Sequence, residues 1–133
     1  MFKIDPKLAT DSFFIKDLEL SKLLLINDAN YPWVILVPQK TNLVEIIDLS
    51  KQNQVLLMEE IDEVSKIIKK ITNCDKINIA NLGNVVSQLH IHIIARFKND
   101  ASFPQPIWGR QKPKPYQEKE KNDLIKKFYD NLS

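Results

Sequence analysis

Apolar and polar positions along the chain divide it into elements before any chemistry is considered. Between Ser50 and Thr72, Leu57, Ile61, Val64, Ile68 and Ile71 recur at spacings of four and three, the stripe of an amphipathic helix. Glu59, Glu60, Asp62 and Glu63 come before Lys66, Lys69 and Lys70, the charge order a helix dipole favours. The stripe reads as core and the charges as a solvated face. Leu18 to Ile26, rich in Leu and Ile, predicts a strand, and Trp33 to Val37 a second one stopped by Pro38. The residues between them, Asn27-Asp28-Ala29-Asn30-Tyr31-Pro32, have turn composition, so the pair predicts an antiparallel hairpin. Lys76 to Ala80 predicts another strand, Asn81-Leu82-Gly83-Asn84 a turn, and Val85 to Phe97 a longer strand. Asp5 before Pro6 predicts the capped start of a short helix. Asn99 to Pro115 carries Pro104, Pro106, Pro113 and Pro115 with Phe103 and Trp108, a rigid loop. Gln117 to Asn131 predicts a final helix that packs through Leu124, Ile125 and Phe128. Strands and hairpins around a long helix give an α+β class on an antiparallel sheet.

Composition narrows this picture. A chain of 133 residues with 44% hydrophobic and 27% charged residues fits one ordinary globular domain. The net charge of +2 is too small to argue for nucleic acid or a polybasic membrane contact. No apolar run approaches the roughly 20 residues of a membrane span, and Met1-Phe2-Lys3-Ile4-Asp5-Pro6 lacks the apolar core of a secretory signal. The single Cys74 cannot form an internal disulfide, which fits a reducing compartment and a cytoplasmic location. Gly83 and Gly109 are the only glycines, so the Gly-rich phosphate loops of P-loop and Rossmann folds are excluded.

Candidate chemistry concentrates in Gln88-Leu89-His90-Ile91-His92-Ile93-Ile94, which holds both histidines of the chain. In a strand, Gln88, His90 and His92 would share one face and Leu89, Ile91 and Ile93 the other. Three readings compete. The histidines are polar residues on the solvent face of an edge strand. Or they hold zinc, which takes three or four protein ligands and leaves Asp28 as the carboxylate to nominate. Or they perform nucleophilic catalysis on phosphorus, because imidazole is nucleophilic near neutral pH and a covalent intermediate splits one hard displacement into two. That chemistry needs an attacking nitrogen, a tautomer fixed from behind and donors for the phosphoryl oxygens. His90 can attack with a backbone carbonyl on its other nitrogen, flanked by His92 and Gln88. Amides around Gly83-Asn84-Val85 can bind the oxygens. Arg96 is in phase with the histidines, either to meet a second phosphate or as an exposed cation at a strand end. Trp108 either stacks on a base and caps the site or packs against the domain. Arg110, Lys112 and Lys114 form a small basic patch, for a polyphosphate or for solubility.

The motif resembles the histidine-triad (HIT) signature, His-φ-His-φ-His-φ-φ with φ apolar. The resemblance runs over about residues 10–110, through the Leu18–Val37 hairpin, the long helix, the Gly83 turn and the Trp108 loop. It is nearest to a bacterial, diadenosine tetraphosphate hydrolase-like branch. That branch pairs Gln-Leu-His-x-His with Pro-x-Pro-x-Trp-Gly, here Pro104-Gln105-Pro106-Ile107-Trp108-Gly109. The resemblance implies a single HIT-like domain over 1–133, with an antiparallel sheet of about five strands, one long helix and a C-terminal helix. It implies a hydrolase or transferase that cleaves a nucleoside phosphate, a dinucleoside polyphosphate or phosphoramidate, at the α-phosphorus. The alternative is a nucleotide-binding protein of the same fold with little turnover. By position, His90 is the nucleophile that becomes nucleotidylated and His92 contacts the phosphate. Asp28, with Asn27, falls near the group that holds the ribose hydroxyls. Asn81, Gly83, Asn84 and Val85 fall on the phosphate-binding turn, where Val85 can offer only its amide, and Trp108 lies at the substrate. Gln88 replaces the first histidine and cannot ionise. No resident cofactor is required, and magnesium would enter only as a substrate complex. The expected partners are a nucleotide and a second copy of the chain in a two-fold homodimer, with neither nucleic acid nor membrane.

Overall fold

A computed structural model describes residues 1–133. Its elements are α1 (Pro6–Thr10), β1 (Ser12–Asp17), β2 (Ser21–Ile26), β3 (Trp33–Pro38), a 3-10 turn at Ile46–Asp48, α2 (Lys51–Thr72), β4 (Lys76–Ala80), β5 (Ile91–Arg96) and α3 (Glu118–Asn131). The strands form one sheet in the order β1-β2-β3-β5-β4, each neighbouring pair antiparallel. This is the expected α+β architecture.

Helix α2 forms where local signals agree. Ser50 Oγ accepts from Asn53 N at its start, and Asn73 ends it in the left-handed conformation at φ 52°, which Asn tolerates better than most residues. Its stripe of Leu57, Ile61, Val64, Ile67 and Ile68 packs with Phe128 of α3 on Leu23, Leu25, Val34, Leu36, Ile91 and Ile93 of the sheet. Glu60 is buried on the same stripe, and its Oε2 accepts from Leu20 N at 2.8 Å, tying α2 to the β1–β2 turn.

The opposite sheet face carries less cover. There Leu24, Ile35 and Val37 pack under Leu8 of α1 and Val86. The register pairs Ile35 with His92 and Trp33 with Ile94. Alternation therefore sends His92 to this thinly roofed face while Ile91 and Ile93 enter the core.

Two boundaries differ from the sequence expectation. The run beginning at Leu18 is a turn, closed by Leu18 N donating to Ser21 O, and the strand before it, β1, has no counterpart in the apolar pattern. A register shift between Phe14 and Lys16 breaks the alternation that would mark it. The histidine strand begins at Ile91 rather than Val85, and residues 85–90 run outside the ladder. Gln88 and His90 are therefore not strand residues; the His90 ring still reaches the side that His92 faces, and only Gln88 departs from the predicted shared face. No helix is long and apolar enough to cross a membrane.

Candidate active site

A cavity of about 950 Å³ opens on the thinly roofed face. It is walled by α1 (Lys7, Leu8, Thr10, Asp11), the end of β2 and its turn (Ile26, Asn27, Asp28), the Leu82–Val86 segment, and the Pro-rich loop (Pro106, Trp108, Pro113, Pro115). Trp33, His90 and His92 complete the wall. Of the residues singled out in the sequence, Asn27, Asp28, Gly83, Asn84, Val85, His90, His92 and Trp108 converge here, and Gln88 and Asn81 do not. A smaller cavity of about 410 Å³, between the β1–β2 turn and α2, is lined with acidic side chains and contains no histidine.

The two imidazoles are held in complementary states. His90 Nδ1 lies 2.7 Å from Gln88 O. A carbonyl only accepts, so Nδ1 carries a proton, and the neutral ring has its lone pair on Nε2. His92 Nδ1 accepts from Trp33 Nε1 at 3.0 Å. An indole only donates, so neutral His92 carries its proton on Nε2. Both rings are buried and meet edge to face with centroids 4.7 Å apart. Burial and then the neighbouring His90 push the His92 pKa down to about 3. His92 is therefore a neutral donor at physiological pH, beside a nitrogen that has its lone pair free.

Trp108 meets His92 at 5.2 Å and Trp33 at 6.3 Å between ring centroids, both edge to face. It packs on the site and is still 36% exposed, enough to face a ligand as well. Both tryptophans of the chain thus sit against His92. The Leu82–Val86 segment turns at Gly83, whose φ is +69° and where an added Cβ would lie 3.3 Å from Val86 O. The amides of Gly83, Asn84 and Val85 make no hydrogen bond within the protein, which leaves them for an anion.

Asn27 and Asp28 have a structural task on the cavity wall. Asn27 Oδ1 accepts from Tyr116 N at 2.9 Å, and Asp28 Oδ1 accepts from Asn30 N at 3.0 Å and Lys114 N at 3.2 Å. With Ala29 N on Lys114 O and Asn30 Nδ2 on Lys112 O, they stitch the Pro113–Pro115 strap over the turn. Asn27 Nδ2 and Asp28 Oδ2 are left for a ligand.

Gln88 departs from its expected place beside the histidines, and Arg96 from both of its expected roles. The Gln88 side chain turns to the N-terminal segment, accepting from Asp5 N at 2.8 Å and donating to Lys3 O at 2.8 Å; it is the Gln88 carbonyl that meets His90. Arg96 neither faces the cavity nor is exposed, at 1% of its free area. It forms a two-point pair with Asp100, donates to Asn78, Ser102 and Gln105, and lies 5.5 Å from the rings of Tyr31 and Phe103. It anchors the loop that delivers Pro106 and Trp108. Trp33 and Leu8 were missed as site residues. Each looks like an ordinary core residue in sequence, and only tertiary pairing brings them to the histidines. No three His, Cys, Asp or Glu side chains converge as a metal ligand set.

The chain is similar to a histidine triad protein from Bradyrhizobium japonicum, at 47% identity and TM-score 0.98 over 99% of this chain and 98% of that one. It is similar to another from Sinorhizobium meliloti 1021, at 40% identity and TM-score 0.96 over 98% and 97%. Among curated proteins it is 29% identical to a bis(5'-adenosyl)-triphosphatase of Dictyostelium discoideum, over 95% of this chain and 92% of the relative. The family model of the HIT domain matches residues 7–99, and the chain belongs to the HIT domain family.

Proposed function

We propose that the protein is a nucleotide hydrolase of the branch with Gln at the first motif position, acting at the α-phosphorus through a His90–nucleotidyl intermediate. The observation that carries this is the pair of fixed tautomers. His90 Nε2 attacks phosphorus, the bond to the leaving oxygen breaks, and its electron pair departs with that oxygen. The proton stays on His90 Nδ1, donated to Gln88 O, which supports the positive charge that develops on the ring. The His92 Nε2–H and the amides of Gly83, Asn84 and Val85 serve the phosphoryl oxygens. Asn27 and Asp28 take the ribose, and Trp108 takes the base. Water then attacks the adduct, the P–N electrons return to His90, and a water proton leaves to solvent. The relative described as a bis(5'-adenosyl)-triphosphatase supports this reaction class.

The Gln88 side chain is bonded away from the cavity, so its inability to ionise removes no titrating group from the reacting atoms. This favours turnover over mere binding. We further propose a cytoplasmic homodimer joined through β4, with no resident cofactor and magnesium entering only on the substrate. The enzymatic reading is tested by mixing the protein with diadenosine polyphosphate, quenching at alkaline pH and measuring intact mass. The native chain gains one nucleotidyl group and His90→Ala gains none. Equal background turnover in the two sinks the enzyme reading.

A further inference from the structure

We propose that Trp33 selects the leaving group: its indole N–H, given to His92 Nδ1, keeps His92 a fixed neutral donor and restricts the reaction to leaving groups that depart as anions. This rests on the His90 attack proposed above and names the substrate class that attack serves.

Displacement at phosphorus breaks the bond to the leaving atom, and the electron pair goes with that atom. A phosphate leaves as a stable oxyanion near neutral pH, because its acid form has a pKa near or below about 6. It needs no proton from the protein. An amine cannot leave as its anion and must receive a proton as the P–N bond breaks. A general acid beside the leaving atom therefore decides between phosphoanhydrides and phosphoramidates.

His92 is the imidazole next to the nucleophile, and an imidazole acts as an acid in its doubly protonated form. That form carries a hydrogen on Nδ1, where Trp33 Nε1–H already points from 3.0 Å. Two donors cannot share that line. Protonating His92 would break this bond inside a pocket where the residue is 6% exposed. Trp108 against the same ring offers only a π-system and one donor. The other ionisable side chains of the cavity do not replace it. Lys7 and Asp11 are paired with each other at 2.9 Å, Asp28 accepts from two amides, and His90 is the attacking group. The site can hold charge on oxygen and has no placed acid for nitrogen.

The test compares diadenosine polyphosphate with adenosine 5'-phosphoramidate on the full chain. The native protein is expected to favour the anhydride by about 100-fold in kcat/KM, the lower end of what a positioned general acid contributes. Trp33→Phe removes the donor, and Trp33→His offers a lone pair to a protonated Nδ1. Each is expected to narrow the ratio by about tenfold, the equilibrium factor of one ordinary hydrogen bond. Nitrogen NMR of the native chain reads the tautomer without any turnover: His92 stays neutral with its proton on Nε2 from about pH 5 to about pH 8, where free imidazole titrates. A native ratio near one, a ratio unmoved by either variant, or an Nδ1–H signal from His92 overturns the role of Trp33. If neither substrate is cleaved and no adduct forms, the proposed function falls, and this inference with it. If the variants do not fold, the native ratio and the NMR tautomer decide.

Discussion

At the scale of single residues, the site is defined by where protons cannot go. Gln88 O fixes one on His90 Nδ1, and Trp33 Nε1–H excludes one from His92 Nδ1. The same arrangement carries a cost in stability at low pH. The folded His92 pKa of about 3 lies below its ordinary 6.5, so the unfolded chain binds a proton there before the folded chain does. The stabilisation is fully present above about pH 6.5 and is lost as pH falls toward 3. One such site loses about 2 kcal/mol between about pH 6.5 and about pH 4.5. Glu60, whose carboxyl burial pushes up, gives an opposite slope above about pH 4.5, so the His92 slope is read in urea denaturation as the difference between the native chain and His92→Gln, which keeps an acceptor for Trp33 but does not titrate. Asp100 acts only lower. Burial alone would raise its carboxyl, but the Arg96 guanidinium and the amides of Phe97, Ser102 and Phe103 outweigh burial and hold it at about 2. Its loss therefore begins below about pH 4, and a pH dependence identical in the native chain and His92→Gln would contradict the neutral His92.

Elements are positioned around these residues by bonds that span the chain. Gln88 reaches back 83 residues to Asp5 N and holds the entrance to α1, whose Leu8 and Thr10 wall the cavity. The far end of α1 is tied separately, by Asn27 N on Asp11 O. Gln88→Met keeps the volume and the main-chain carbonyl while removing both side-chain bonds. It is expected to lower stability by about 1–3 kcal/mol and to speed amide exchange at Asp5, with the Asp11 end unchanged. Unaltered Asp5 exchange would show that packing of Phe2 and Ile4 alone holds the segment. Arg96 does the equivalent for the Pro-rich loop. Arg96→Met strands Asp100 and is expected to cost about 3–5 kcal/mol, with Arg96→Met/Asp100→Asn recovering part of it in thermal denaturation. The contrast with α2 explains what was legible in the sequence. Its stripe and its charge order are local, so its limits were read to within a residue, and the Ser50 cap and Asn73 stop that the structure shows there are local as well. The α+β class, the β2–β3 hairpin and the meeting of His90 and His92 with the Gly83 turn were legible for the same reason, or through the family motif. β1 was hidden by its bulge, and the start of β5 is set by where β3 stops pairing. Trp33 is 59 residues from His92, and no periodicity within either segment records that they touch.

At the scale of the whole molecule, the two sheet edges are unequal. β1 is interrupted by its register shift and is overlaid by α3, where Lys121 sits over Phe13 and Lys16 over Tyr129. A broken, covered edge resists pairing. β4 runs in unbroken register from Lys76 against Arg96 to Ala80 against His92, and its outer side presents unpaired backbone groups. Ile79 pairs with Ile93 on the side that carries α2, yet is 51% exposed. An unbroken, exposed edge can take another strand, and in the proposed homodimer β4 joined to β4 about a two-fold axis would make one continuous sheet. The partner would then press on the strand directly behind His92, so association would stiffen the site as well as bury Ile79. The proposed homodimer therefore predicts a coupled result for Ile79→Lys. In sedimentation the native chain runs as a dimer and the variant as a monomer, because a lysine on an edge opposes strand addition. His90 adduct formation slows in the variant although no residue of the cavity has changed. A native chain that sediments as a monomer, or a variant that remains dimeric, removes β4 as the interface. A monomeric variant with undiminished adduct formation keeps the interface and removes its link to the site.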